Sequence, residues 1–291
     1  MAKPETAQTP PPAAPPSRPD VVVFRHMTKA FGTGAAARVA LQDVSFVVAD
    51  LPDQGELITI VGPSGCGKST LLRIIAALPP HFPPTSGEVL VFGKPLVAPG
   101  ADRGVVDQKY SLLPHLTVLD NIGFGLMLQG VSRRERRDRS REWIRKVGLE
   151  GAEDKYPSEL SGGMQQRVAI AATLVLKPKI LLMDEPFGAL DPKIRLRMQE
   201  LLVQLWAEQQ ATVFFVTHSM EEAVYLGDRV FRMGSNPGRL VEILQAPRPD
   251  VPPEVMRARP WFYELTQELS RRIEEDAPAA GELRNGKSVP K

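Results

Sequence analysis

Apolar and polar positions along the chain sort into two periods. Residues 57–61, 180–183 and 212–216 are nearly continuous apolar runs, the pattern of parallel strands covered on both faces. Residues 21–24, 27–32, 40–48 and 88–93 read as shorter strands, and 40–48 alternates apolar with polar as a strand with one wet face does. Helical spacing takes over in 69–78, from about 109 to 175, in 195–209 and in 261–273. Leu196, Leu201, Leu202 and Leu205 should point inward from one of these helices, and Trp143, Ile144 and Val147 from another. Phe262, Leu265 and Leu269 share a face of the last, which should pack on its own domain rather than on a partner. Residues 79–84 are rich in proline, which lacks the N–H and clashes with the preceding turn, so they form a loop. Strands alternating with helices imply an α/β fold, and no internal repeat is evident.

The chemistry sits where the run 57–61 meets its helix. Gly62-Pro63-Ser64-Gly65-Cys66-Gly67-Lys68-Ser69-Thr70 fits the phosphate-loop pattern G-x-x-x-x-G-K-[ST], with a strand before it and a helix after it. Glycines let successive N–H groups converge on phosphate oxygens at the positive end of the helix. Lys68 should neutralise charge between the β- and γ-phosphates, and Ser69 should ligate Mg²⁺. Cys66 reads as a small loop residue whose alkylation should block the nucleotide. The run 180–183 delivers Asp184 and Glu185 to the same sheet edge. Asp184 is suited to hold Mg²⁺ through water, and Glu185 to polarise an attacking water as general base.

Leu160-Ser161-Gly162-Gly163-Met164-Gln165-Gln166-Arg167 opens a second helix, with Ser161 as its cap and N–H groups left open to an anion. So far along the chain, this helix end cannot easily face the same nucleotide. With the phosphate loop and the Asp-Glu pair on either side, this stretch resembles the signature motif of the ATP-binding-cassette (ABC) ATPases. The resemblance spans about residues 21–244 and implies a P-loop NTPase (RecA-like) core, an N-terminal antiparallel β subdomain and an inserted α-helical subdomain at about 109–175. It implies ATP as substrate with Mg²⁺, and a head-to-tail pair of copies in which Ser161, Gly162 and Gly163 contact ATP held by the other copy. It also assigns Gln108 to the glutamine loop near Mg²⁺, Asp191 to the D-loop at the interface, and His218 to the switch that contacts the γ-phosphate. Phe31, just before Gly32, is the candidate to stack on adenine, with Phe24 and Phe46 left to the core. Ser219 and Glu222 form an S-x-x-E capping box for the helix behind His218.

Composition narrows the partners. Thirty-six basic against 34 acidic residues leave a net charge of +2, which argues against nucleic acid, and the arginine-rich stretch 131–147 reads as a solvated helix face. One cysteine excludes an internal disulfide framework. No apolar run approaches the roughly 18 residues of a membrane span, so any membrane role is peripheral. Residues 1–20 are proline-rich and without a signal-like apolar core, the expectation being a disordered leader; 245–275 should be a helical extension and 276–291 a flexible tail.

Residues 104–118 and Pro237-Gly238-Arg239 resemble importer ATPases of the nitrate, sulfonate (taurine) and bicarbonate group. That resemblance implies two transmembrane permease subunits, an extracytoplasmic solute-binding protein acting through them, and a place on the inner face of the membrane. Asp107 departs from the aromatic residue usual before the glutamine, Ala172 from an arginine, and 50–54 and 79–84 look like small insertions. A soluble ABC module with a non-transport partner is the alternative, and a catalytically weak ATP-binding partner a third reading.

Overall fold

Strand order brings motifs scattered along the sequence to one edge of a sheet. The computed structural model describes residues 18–51, 54–108, 112–249 and 251–276. Its first sheet has four antiparallel strands built from β1 (Val22–Phe31), β2 (Arg38–Val48), β4 (Ser86–Val91) and β5 (Lys94–Pro95), in the order β2-β1-β4-β5. The second has six strands in the order β10-β9-β3-β8-β7-β6, from β3 (Leu57–Val61), β6 (Arg103–Val106), β7 (Ile180–Asp184), β8 (Thr212–Val216), β9 (Arg229–Gly234) and β10 (Arg239–Gln245). All neighbours in this sheet run parallel except β9 and β10. Helix α1 (Lys68–Ile75) follows β3. Helices α2 (Val118–Leu128), α3 (Arg133–Lys146) and α4 (Gly162–Leu174) lie between β6 and β7 in the chain. Helix α5 (Pro192–Gln209) joins β7 to β8, α6 (Met220–Leu226) joins β8 to β9, and α7 (Pro253–Arg257) and α8 (Pro260–Glu275) follow β10.

Two apolar cores explain why the central strands show no polar alternation. Ile58 and Ile60 of β3 pack with Phe24, Phe46 and Ile74 between the two sheets. Leu57 and Val61 face the other way, into a core shared with Trp143, Ile144, Val147, Leu202, Leu205 and the last helix. A strand buried on both faces has no polar side to show. Phe262 and Leu269 of α8 are buried and Leu265 is partly so, as the spacing predicted. The α3 pairs Glu135–Arg139 (3.6 Å) and Glu142–Lys146 (3.7 Å) form on the surface. Exposed pairs of this kind contribute at most about 1 kcal/mol.

The structure corrects several expectations. The segments 21–24 and 27–32 are one strand, β1, whose pairing shifts register between Phe24 and Met27. Such a shift at a bulge breaks the two-residue period. Helix α5 begins at Pro192, three residues before the expected start at 195, because Asp191 caps it and proline suits its first position. Leu196 and Leu201 are only partly buried, since the inward face of α5 is carried by Met198, Leu202, Leu205 and Trp206. Strands β9 and β10 were not expected at all. The leader through residue 17, the tail from 277, and Lys109, Tyr110 and Ser111 lie outside the described residues.

Candidate functional site

The carboxyl ends of β3, β8, β7 and β6, adjacent in that order, carry the phosphate loop, His218, Asp184 with Glu185, and Gln108. A cavity of about 220 Å³ is lined by Ser64, Gly65, Gly67, Lys68, Ser69, Thr70, Glu185 and His218. Gly67 caps α1 with φ 96°, a left-handed conformation that glycine adopts without penalty. Lys68 is buried, and its Nζ donates to the carbonyls of Gly62 (2.8 Å) and Pro63 (3.0 Å), holding the ammonium at the loop. Cys66 is 1% exposed and burial pushes its thiol pKa up, so thiolate is scarce and the expected alkylation is slow.

Ser69 Oγ donates to Asp184 Oδ1 at 2.9 Å. Burial pushes the Asp184 carboxyl above its ordinary range, although the Ser69 hydroxyl and Arg73 oppose the shift. A hydroxyl and a buried carboxylate side by side form a hard oxygen set, the kind that suits Mg²⁺.

Glu185 has φ 48°, a conformation that costs a bulky residue roughly 1–2 kcal/mol. It is held there by its N–H donating to Val216 O at 3.0 Å, and the bend aims its carboxylate across the sheet edge. His218 Nε2 meets Glu185 Oε1 at 2.5 Å and Gln108 Nε2 donates to Glu185 Oε2 at 3.3 Å. A second cavity of about 320 Å³ opens beside this group, lined by Gln108, Glu185, Gly188, Arg195, Thr217, His218, Ser219 and Glu222.

Other assigned residues lie elsewhere. Ser161 caps α4, accepting from Met164 N at 3.4 Å, and is exposed together with Gly162. Gly163 is buried, and a Cβ there would meet Ile194 of α5 at 2.9 Å. These three residues line neither cavity. Asp191 Oδ1 accepts from Ile194 N at 3.0 Å, so the first turns of α4 and α5 lean on each other. Phe31 is half-buried at the end of β1, with the edge of His81 at 5.4 Å and Lys29 Nζ 5.1 Å from its ring centre. It too lines neither cavity, yet its strand pairs with β2, whose Leu41 lies against Gly67.

Gly238 packs against the phosphate loop, a contact the sequence did not disclose. A Cβ there would stand 2.0 Å from Cys66 O and 2.7 Å from Ala40 O. Its backbone also bonds β2 both ways, Gly238 N to Ala40 O (3.1 Å) and Gln42 N to Gly238 O (2.8 Å). In the sequence Pro237-Gly238-Arg239 carried only a family resemblance, because the contact joins residues far apart in the chain. Gly238→Ala should destabilise the fold by about 2 kcal/mol in urea unfolding, the usual scale of overpacking against backbone. The displaced loop should also bind ATP about tenfold more weakly, the equivalent of one hydrogen bond. Parental stability and affinity in this variant would show that the contact supports nothing.

The comparisons with known proteins agree with this geometry. The sequence profile of the family described as "ABC transporter" matches residues 41–188. The taurine import ATP-binding protein of Rhizobium johnstonii is 47% identical over 235 residues, 79% of this chain and 87% of that protein. The nitrate import ATP-binding protein of Synechocystis is 44% identical over 238 residues, 80% of this chain and 87% of that protein. A dimeric ATP-binding cassette solved in a post-hydrolysis state with ADP and Pi superimposes with TM-score 0.67 at 34% identity, covering 78% of this chain and 99% of that one. Phosphate loop, Asp-Glu pair, glutamine and histidine at one sheet edge, with relatives matched over most of both lengths, place the chain in the ABC transporter family, as its ATP-binding, ATP-hydrolysing subunit.

Proposed function

We propose that this ATPase energises import of a small sulfonate or nitrate-like anion, working as a head-to-tail pair of copies on the inner face of the membrane. One observation carries the pairing: Ser161, Gly162 and Gly163 lie outside the cavity that gathers Lys68, Ser69, Glu185 and His218. Each ATP is then held by the phosphate loop of one copy and closed by the signature helix of the other. Phe31 stacks on adenine, and Asp191 sits at the interface beside the signature. Lys68 binds the β- and γ-phosphates, Glu185 takes a proton from the attacking water, and His218 orients Glu185 towards it. Ser69 and Asp184, with Gln108 near, would hold Mg²⁺, which would supply neutralisation of phosphate charge.

Import follows the taurine and nitrate relatives. Two permease subunits receive the motion, and an extracytoplasmic solute-binding protein delivers the anion to them. A cavity of about 260 Å³ between β6, α2 and α4, lined by Asp107, Leu112, Asn121, Phe124 and Ala172 among others, is where a permease segment seats. No helix among the described residues is long and apolar enough to cross a membrane.

Pairing is tested by mixing two inactive variants. Lys68→Ala removes the phosphate lysine, and Ser161→Arg fills the exposed signature tip. A mixture should recover ATP turnover that neither variant shows alone, because a mixed pair holds one complete site. A mixture as inactive as its components would rule out a shared site. For cargo, whichever of taurine and nitrate stimulates turnover of the assembled transporter is the solute; stimulation by neither sets that assignment aside.

A further inference from the structure

Behind His218 lies a buried polar chain that the catalytic steps above do not use. Glu222, on the first turn of α6, is 5% exposed. Its Oε2 accepts the Thr217 hydroxyl at 2.5 Å. Its Oε1 accepts from Gln199 Nε2 at 3.1 Å and lies 3.7 Å from Arg195 Nε. Both partners belong to α5, and Arg195 Nη2 reaches back to donate to Leu190 O at 3.0 Å, in the segment just before Asp191. Thr217 in turn accepts from Ser219 N at 3.0 Å, so its side chain closes the turn that presents His218. The contacts run from Leu190 to Arg195, across a longer 3.7 Å step to Glu222, and on to Thr217, whose neighbour in the chain, His218, meets Glu185 at 2.5 Å.

We propose that Glu222 is a positioning residue that ties the segment before Asp191 to the imidazole of His218, so that arrival of the second copy sets the catalytic pair. The expected capping box is only half made: Ser219 Oγ accepts from Glu222 N at 3.3 Å, but Ser219 N donates to Thr217 Oγ1 and the Glu222 carboxylate turns inward. A carboxylate needed only for helix capping would face solvent. Burying one against an arginine costs several kcal/mol of desolvation unless its lone pairs are used, and here they are shared between α5 and the strand end that carries the switch. Among the described residues Arg195 Nε has no hydrogen-bond partner, and at 3.7 Å from Glu222 it can close that gap when the segment before α5 is pushed from outside. The inference rests on the paired reading above, since it needs a second copy to press on that segment.

ATP turnover of the full chain decides it, with KM and melting temperature read beside kcat. Glu222→Ala and Thr217→Val should each lower kcat about 30-fold, the scale of a sub-ångström misplacement of a reacting group. KM for ATP should change less than about threefold, because the phosphate loop is untouched. Glu222→Gln keeps the shape and one of the two acceptor oxygens but loses the charge facing Arg195, so its kcat should fall between the parent's and that of Glu222→Ala. The double variant Glu222→Ala with Thr217→Val should be no slower than Glu222→Ala alone, as links in one path do not add. Parental kcat in Thr217→Val, or losses that multiply in the double variant, overturn the proposal. If Glu222→Ala does not fold, Thr217→Val, which removes a single hydroxyl, decides alone. ATP-driven pairing of Glu185→Gln keeps the two ideas apart: pairing with an unaffected Thr217→Val defeats the relay only, and absence of pairing defeats both.

Discussion

Lys68→Ala is expected to weaken ATP binding about 30- to 100-fold, the loss of one charge-assisted hydrogen bond to phosphate together with its Coulomb attraction. The loop itself holds the side chain in place. Carbonyls of Gly62 and Pro63 hold its ammonium at 2.8 and 3.0 Å, so little rotamer entropy remains to be lost on binding. Removing it leaves those carbonyls facing incoming phosphate oxygens with no cation between them, which is repulsive. Titration calorimetry under non-hydrolysing conditions measures the loss directly. Affinity equal to that of the parent would remove Lys68 from the phosphate site, and turnover would then have to be explained without it.

Glu185→Gln should lower turnover about 10³-fold, within the range general-base catalysis spans, while leaving ATP affinity close to that of the parent. Gln keeps the size of the side chain and its acceptor for Gln108, but it cannot take a proton from water. ATP then stays intact between two copies, so the variant should elute as a dimer with ATP and as a monomer without it. Turnover within tenfold of the parent would mean another group is the base. A monomer at saturating ATP would deny the paired mechanism.

The parts of this site that could be read from the sequence are those whose chemistry depends on local spacing. A glycine-rich turn between an apolar strand and a helix has few other uses, and Asp-Glu after a doubly buried strand has a fixed place in the sheet. Gln108 and His218 became interpretable only as members of a set, because a single polar residue after a strand is ordinary. What stayed hidden was set by long-range contact. Strand β9 carries Arg229 and Arg232 within an apolar run, and these make sense only beside partners elsewhere in the chain. Arg229 binds Glu56 through two bonds of 2.5 and 2.6 Å, and Arg232 pairs with Glu242 and Asp276. The role of Glu222 was hidden for the same reason: its capping spacing was visible, but its contacts to α5 were not.

Gly238 lies against Cys66 O, and this closeness bears on how the protein is made. By residue 70 a ribosome has already delivered every letter of the phosphate loop, yet the buttress behind it is translated 168 residues later, after position 238. An unfinished chain therefore carries the loop without this backing. On this contact alone, a chain cut short of residue 238 should bind ATP more weakly than the full chain.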